Sequence, residues 1–165
     1  MSFDWSKFVK KIDINVPADA VYLAWTIPDI LEKWFLRSAT FYYSADKKRA
    51  KHENIHSGDK YEWLWHGYGD DVMEKGEVLS ANGIDKLSFT FGNAGIVTVE
   101  IGKVLDKTIV MLTQSEIPTD ELSQVNYHIG CQNGWTFYLA NLKSYLENGH
   151  DLRNKNEGLK HMLNS

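Results

Sequence analysis

Residues 119–149 read TDELSQVNYHIGCQNGWTFYLANLKSYLENG, and this stretch decides the fold. Val125, His128, Gln132, Trp135, Leu139, Leu142 and Leu146 recur at spacings of 3 and 4, which makes one continuous stripe on a helix. Thr119 or Asp120 can cap its start, and Gly149 stands past its end near Glu147. Such a helix is roughly 40 Å long, enough to cross a whole sheet. Gly130 and Gly134 inside it each cost up to about 1 kcal/mol relative to alanine. Both fall off the stripe, so close packing of a neighbour on that flank is expected.

Ahead of this helix the period changes. Residues 8–15 (FVKKIDIN) nearly alternate apolar and polar and read as a first strand. Pro17 opens a helix, where its missing N–H costs nothing, and Asp19 sits near the positive end. Val21, Ala24 and Trp25 share one face of it. Pro28 opens a second short helix with Leu31, Trp34 and Phe35 on its apolar side. Proline at the junction makes a V rather than one rod. Strands are then predicted at 39–43, 60–66, 72–80, 86–91, 96–104 and 108–115. Asn82-Gly83 can supply the two positive φ angles of a tight hairpin, and the breaks at 92–95 and 105–107 are as short. Connections this short force antiparallel neighbours. Residues 44–59 are polar, carry Lys47, Lys48, Arg49 and Lys51, and predict a long exposed loop or a loose hairpin tip. Residues 150–165 are polar and are expected to fray or pack loosely.

Composition narrows the class. The chain has 165 residues, the length of one domain over 1–165. Lys and Arg total 18 against 22 Asp and Glu, a net charge of −4 that gives no general attraction for nucleic acid or an anionic membrane. Six Trp, eight Tyr and seven Phe make the aromatic content high, at 13%. A single cysteine, Cys131, excludes an internal disulfide and a cysteine-rich metal site and fits a reducing, cytoplasmic setting. No apolar run is long enough for a membrane helix, and residues 1–10 do not read as a signal peptide.

One strand, two short helices, six strands and a long helix is an α+β order. The sheet needs one face covered, and the long helix is the element able to cover it. By alternation, Tyr61, Trp63 and Trp65 share a face, as do Leu87, Phe89 and Phe91, and Val97, Val99 and Ile101. Val110, Leu112 and Gln114 alternate with Ile109 and Met111. The lower helix stripe is aliphatic and reads as core. The upper part carries His128 and Gln132 in register with Trp135, facing aromatics and Gln114. Apolar walls with a few polar anchors describe a ligand pocket. Tyr61, Trp63, Trp65, Phe89, Phe91 and Trp135 are the expected walls, Trp34 and Phe35 the expected mouth, and Gln114, His128 and Gln132 the expected hydrogen-bonding anchors.

Several segments resemble the activator of heat shock protein 90 ATPase-like family. They are Gly76-Glu77-Val78-Leu79 with residues 85–91 (DKLSFTF), Leu31-Glu32-Lys33-Trp34-Phe35, residues 108–115 (TIVMLTQS), and Gly134-Trp135 through Tyr145-Leu146-Glu147-Asn148-Gly149. The resemblance runs in order along nearly the whole chain. It implies the helix-grip fold shared with START domains and the birch pollen allergen group, a curved antiparallel sheet wrapped around a long C-terminal helix with two short helices after the first strand. Family members often carry His at the position of Gln114, so no proton-transfer role is carried over to it. The 44–57 insert is longer than the family pattern. The eukaryotic cochaperones have a further chaperone-binding domain, for which 165 residues leave no room; chaperone activation is therefore not expected.

The expected partner is a small hydrophobic molecule, without cofactor or metal, and without nucleic acid or membrane. A cyclase- or hydrolase-type enzyme using the same pocket is the alternative, with His128 or Glu62 as base, although alternation points Glu62 outward. A protein-interaction module is the other. His52-Glu53-Asn54-Ile55-His56 matches H-E-x-x-H, which binds zinc only on a helix. The preceding basic run has no apolar face and Gly58 follows at once, so a metalloprotease is not expected. Outward Ile109 and Met111 suggest a homodimer surface or burial against the insert.

Overall fold

The computed structural model describes residues 2–165. Strand β1 (Phe8–Ile14) leads to helices α1 (Ala18–Thr26) and α2 (Pro28–Trp34). Pro28 is the first residue of α2 and the backbone of Ile27 is extended, so the two helices meet at an angle. Strands β2 (Ser38–Ser44), β3 (Lys47–Lys48), β4 (Lys60–Leu64), β5 (Met73–Ala81), β6 (Lys86–Thr90), β7 (Ile96–Val104) and β8 (Lys107–Ser115) follow. They form one antiparallel sheet in the order β1-β8-β7-β6-β5-β4-β2-β3. This is the helix-grip arrangement.

The alternation read from the sequence matches the burial. Tyr61, Trp63, Leu87, Phe89, Val97, Val99, Val110, Leu112 and Gln114 are all buried. All but Gln114 meet Trp135, Leu139 and Leu142 of the long helix in one hydrophobic cluster. Ile109 and Met111 are half-buried on the opposite face of β8. The sheet order puts β8 far from β3 and the insert, which removes burial against the insert as their explanation.

Four expectations need correction. The Asn82-Gly83 turn has only Gly83 at positive φ. Asn82 instead accepts three backbone N–H bonds, from Ile84, Asp85 and Lys86, through Oδ1 at 3.0 Å each. The two-residue turn with both φ positive is Leu105-Asp106 between β7 and β8.

The long helix is not uniformly α. A first turn, α3 (Glu121–Ser123), is capped by Asp120, whose carboxylate accepts from Ser123 N at 3.1 Å. A π-helical stretch over Gln124–Ile129 follows, and then α4 (Gly130–Asn148). A π turn inserts a residue into the helical count, so Val125 rotates out to solvent while His128 stays buried.

The tail is pinned rather than frayed. Arg153 is buried and donates to the carbonyls of Leu36 at 3.0 Å and Glu32 at 2.9 Å. Asn141 is buried too and donates to Trp34 O at 2.6 Å and to Asp151 at 3.0 Å. These are the last carbonyls of α2 and the turn after it, which no helical N–H can satisfy.

The flank of Gly130 and Gly134 is not closely packed. A Cβ on Gly134 would meet nothing within 4 Å, and one on Gly130 only Val125 O at 3.5 Å. Close approach occurs elsewhere, at Gly76 on β5, where a Cβ would overlap the Tyr61 ring and reach Thr90 Oγ1 at 2.7 Å. The Tyr61 hydroxyl crosses Gly76 to donate to Thr90 O. Gly76→Ala should therefore destabilise the protein by about 1–3 kcal/mol, the usual range for forced overpacking. Urea denaturation checks this, and wild-type stability would show that the Tyr61 ring is not held there.

Candidate functional site

The middle of the concave face is solid. Tyr61 stacks on Trp63 at 3.9 Å between centroids, and Trp63 meets Phe89 edge-on at 5.3 Å. Trp34 is fully buried, donates Nε1 to Ala24 O at 2.9 Å, and packs edge-on against Trp25 at 4.8 Å. These four residues, expected as walls and mouth, are core and do not line the cavity described next. Mid-strand rings have neighbours on every side and close on one another.

At the ends of the strands the layers part. A cavity of about 670 Å³ opens there, between the sheet and the first half of α4. Phe35, Trp65, Phe91 and Trp135, all expected binding residues, line it together with Tyr138, Cys131 and Glu74. Trp65 lies one residue beyond β4 and Phe91 one beyond β6, where the strand pairing ends, and both are only half-buried. The rings are contiguous. Phe35 stacks on Trp135 at 5.2 Å and meets Tyr138 edge-on at 4.9 Å, and Phe91 lies 5.6 Å from Trp135. Asn126, Gly130 and Gly134 form the helical side. Tail residues 160–163 and 165 border the opening.

The three expected anchors face protein instead. Gln114 is buried, donates Nε2 to Ala94 O at 2.8 Å, and accepts from Trp135 Nε1 at 2.8 Å. It thereby fixes the Trp135 ring that lines the cavity. His128 lies 2.9 Å from Trp5 O through Nδ1 and 2.8 Å from the Gln132 amide nitrogen through Nε2. The tautomer with hydrogen on Nδ1 serves both bonds. The imidazole is ringed by Phe3, Trp5 and Phe8, all edge-on within 5.5 Å. His128 and Gln132 thus anchor the N-terminal segment to the π turn and stand outside the cavity lining. Buried polar atoms take the nearest partners available, and here the backbone supplies them.

The other candidates also lie apart. Glu62 faces outward, accepting from the Tyr42 hydroxyl at 2.9 Å and pairing with Lys75 at 3.0 Å. Residues 52–56 are turn and coil, not helix, so the two imidazoles lack the shared helical face that the zinc motif requires. Ile55 is buried there, and Arg49 pairs with Asp59 to close the loop. Among the described residues no cluster of three His, Cys, Asp or Glu side chains is disposed to hold a metal ion. Among the described residues no helix is long and apolar enough to cross a membrane.

Burial sets the protonation of the cavity groups. It pushes the Tyr138 phenol up to about 12. It raises the Cys131 thiol, against the lowering effect of a contact with Gln114. It also raises the Glu74 carboxyl, against a weaker lowering by the Lys75 backbone N–H. Glu74, Tyr138, Gly130 and Gly134 were missed as site residues by the sequence reading. For Glu74 a signal existed, since it alternates in phase with buried Val78 along β5.

Solved structures share this fold. A protein from Staphylococcus saprophyticus is 21% identical with a TM-score of 0.69, over 89% of this chain and 96% of that one. A putative protein of the dynemicin biosynthetic locus is 21% identical with a TM-score of 0.67, over 91% of this chain and 50% of that one. The Aha1 dimer from Colwellia psychrerythraea, solved in solution, is 18% identical with a TM-score of 0.64, over 87% of this chain and 97% of that one. No curated protein sequence matches the chain. The family "Activator of Hsp90 ATPase homolog 1-like protein" matches residues 15–147, from just after β1 through all but the last residue of α4, and the chain belongs to that family.

Proposed function

We propose that this protein binds a small, largely apolar, ring-containing molecule in the cavity between the sheet ends and the first half of α4. Phe35, Trp65, Phe91, Trp135 and Tyr138 provide the stacking walls, with Gln114 holding Trp135 in place. The observation that carries this reading is the pair of glycines. Each weakens the helix by up to about 1 kcal/mol relative to alanine, and Gly134 has no neighbour whose approach would require it. What the missing side chains leave is space, on the wall of the cavity. A volume of about 670 Å³ lies within the usual range of small-molecule sites, about 300–1,000 Å³.

Cys131 makes the test direct, because it is the chain's one cysteine and lines the cavity. Its raised pKa predicts slow reaction with thiol reagents at neutral pH. Neutral naphthyl, indolyl and biphenyl alcohols should slow it further in proportion to occupancy. They should also raise the melting temperature, by an amount equivalent to about 2.7 kcal/mol at a hundredfold excess over Kd. A full set of such compounds that changes neither labelling nor melting would sink the reading.

A further inference from the structure

We propose that the molecule held in this cavity carries a protonated amine, seated between the Glu74 carboxylate and the surrounding ring faces. This rests on the cavity being a binding site. Glu74 pairs with Trp63 across β4 and β5, which places it on the concave face. Among the described residues it is the one carboxylate at the inward positions of β4 to β8. The outward carboxylates of the same hairpin each have a lysine, Glu62 with Lys75 and Glu77 with Lys60. Glu74 has no ion-pair partner within 4 Å among the described residues, although it lies against Gly92, where a Cβ would meet its Cδ at 3.1 Å. Lys160 and His161 border the same opening from the tail without pairing to it.

A half-buried carboxylate with no cation is unfavourable, and a ligand cation restores the balance. The rings work in the same direction. Trp65, Phe91 and Trp135 line the cavity, and an ammonium over an aromatic face is attracted by the ring quadrupole. Past Lys160 and His161 at the rim, an anionic ligand meets the carboxylate and those same negative faces. The site therefore selects an aromatic or apolar body with a basic nitrogen over its neutral or acidic counterparts.

Three probes of one shape decide this: 2-naphthylmethylamine, 2-naphthylmethanol and 2-naphthoate, each titrated against the full chain by tryptophan fluorescence. The amine is expected to bind at least about tenfold tighter than the alcohol, with the carboxylate weakest. In Glu74→Gln, close in size and shape, the amine should lose about tenfold or more while the alcohol changes little. Cys131 labelling supplies a second readout. Removing the Glu74 charge should speed it, because that charge raises the thiol pKa. Equal binding of amine and alcohol by the wild type overturns the proposal and leaves the cavity reading standing. Binding of none of the three overturns both. If Glu74→Gln does not fold, the wild-type ranking of the three probes still decides.

Discussion

Gly134→Phe should fold with wild-type stability or better and lose ligand affinity by about a hundredfold or more. The stability half follows from the helix. Gly134 lies within α4, not at its end, and its φ is negative, so any L-residue is tolerated by the backbone. Replacing a mid-helix glycine gains several tenths of a kcal/mol from propensity alone. In a helix the new side chain leans toward the preceding turn, over Gly130, where a Cβ has room. The ring then enters the cavity beside Trp135 and Tyr138, adding apolar burial. The binding half follows from volume, since a phenyl group placed there occupies the space that a ligand ring needs. Gly134→Ala is the control, expected to gain about 0.5–1 kcal/mol with a small effect on binding. Urea denaturation measures the first half and ligand titration the second. A strongly destabilised Gly134→Phe would mean that the space is already filled, and an unaltered affinity would place the ligand elsewhere.

The second large effect is at Arg153. Its guanidinium is buried, bonds one backbone carbonyl in the last turn of α2 and one just after it, and pairs with Asp151 at 2.8 Å. Arg153→Met keeps an unbranched apolar stem and removes every side-chain donor. The carbonyls of Glu32 and Leu36 lose their partners, and Asp151 keeps Lys155, Asn141 and the backbone N–H of residue 153. Removing one member of a buried pair is strongly destabilising, and a loss of about 2–4 kcal/mol is expected here. For a chain of this size, that lowers the melting temperature by roughly 5–15 °C.

The pH dependence separates this from a packing defect. Burial alone would raise the Asp151 carboxyl, but hydrogen bonds from Arg153, Lys155 and Asn141 outweigh it and hold the group well below the ordinary carboxylate range. A folded pKa below the unfolded value, about 3.9, gives stability that is complete above that value and drains away as pH falls below it. The gap between wild type and Arg153→Met should therefore be full at pH 7 and narrow under acid. A gap independent of pH would show that the Asp151 charge takes no part. The same substitution frees the segment that borders the cavity, so ligand dissociation should quicken.

Strand positions and their inward faces were readable from the sequence because a half-buried antiparallel strand alternates with period two. The two short helices and the C-terminal helix were readable from their prolines and their 3-and-4 stripe. The π turn was not, because inserting one residue leaves the apolar spacing on either side nearly unchanged. His128 lies within it and meets the N-terminal segment, with Gln132 on its other ring nitrogen. Gln114 was correctly read as inward. Which acceptor or donor it would meet depended on Ala94 and Trp135, about twenty residues away in either direction.

Local pattern thus determined the elements, the buried faces and the family. The contents of the interior were settled only by how those faces met in space. Tyr61, Trp63 and Phe89 have the same pattern as Trp65 and Phe91, yet the first three interlock and the last two border a void. Whether a ring is core or wall depends on what stands opposite, and what stands opposite is Gly130 and Gly134 on a helix at least thirty residues further along. The tail shows the same dependence: Arg153 lies in a polar stretch expected to fray, yet Glu32 and Leu36, more than a hundred residues earlier, offer it carbonyls that no helical N–H could reach. Periodicity is a short-range property of the chain, whereas cavities and buried polar partners are products of long-range packing.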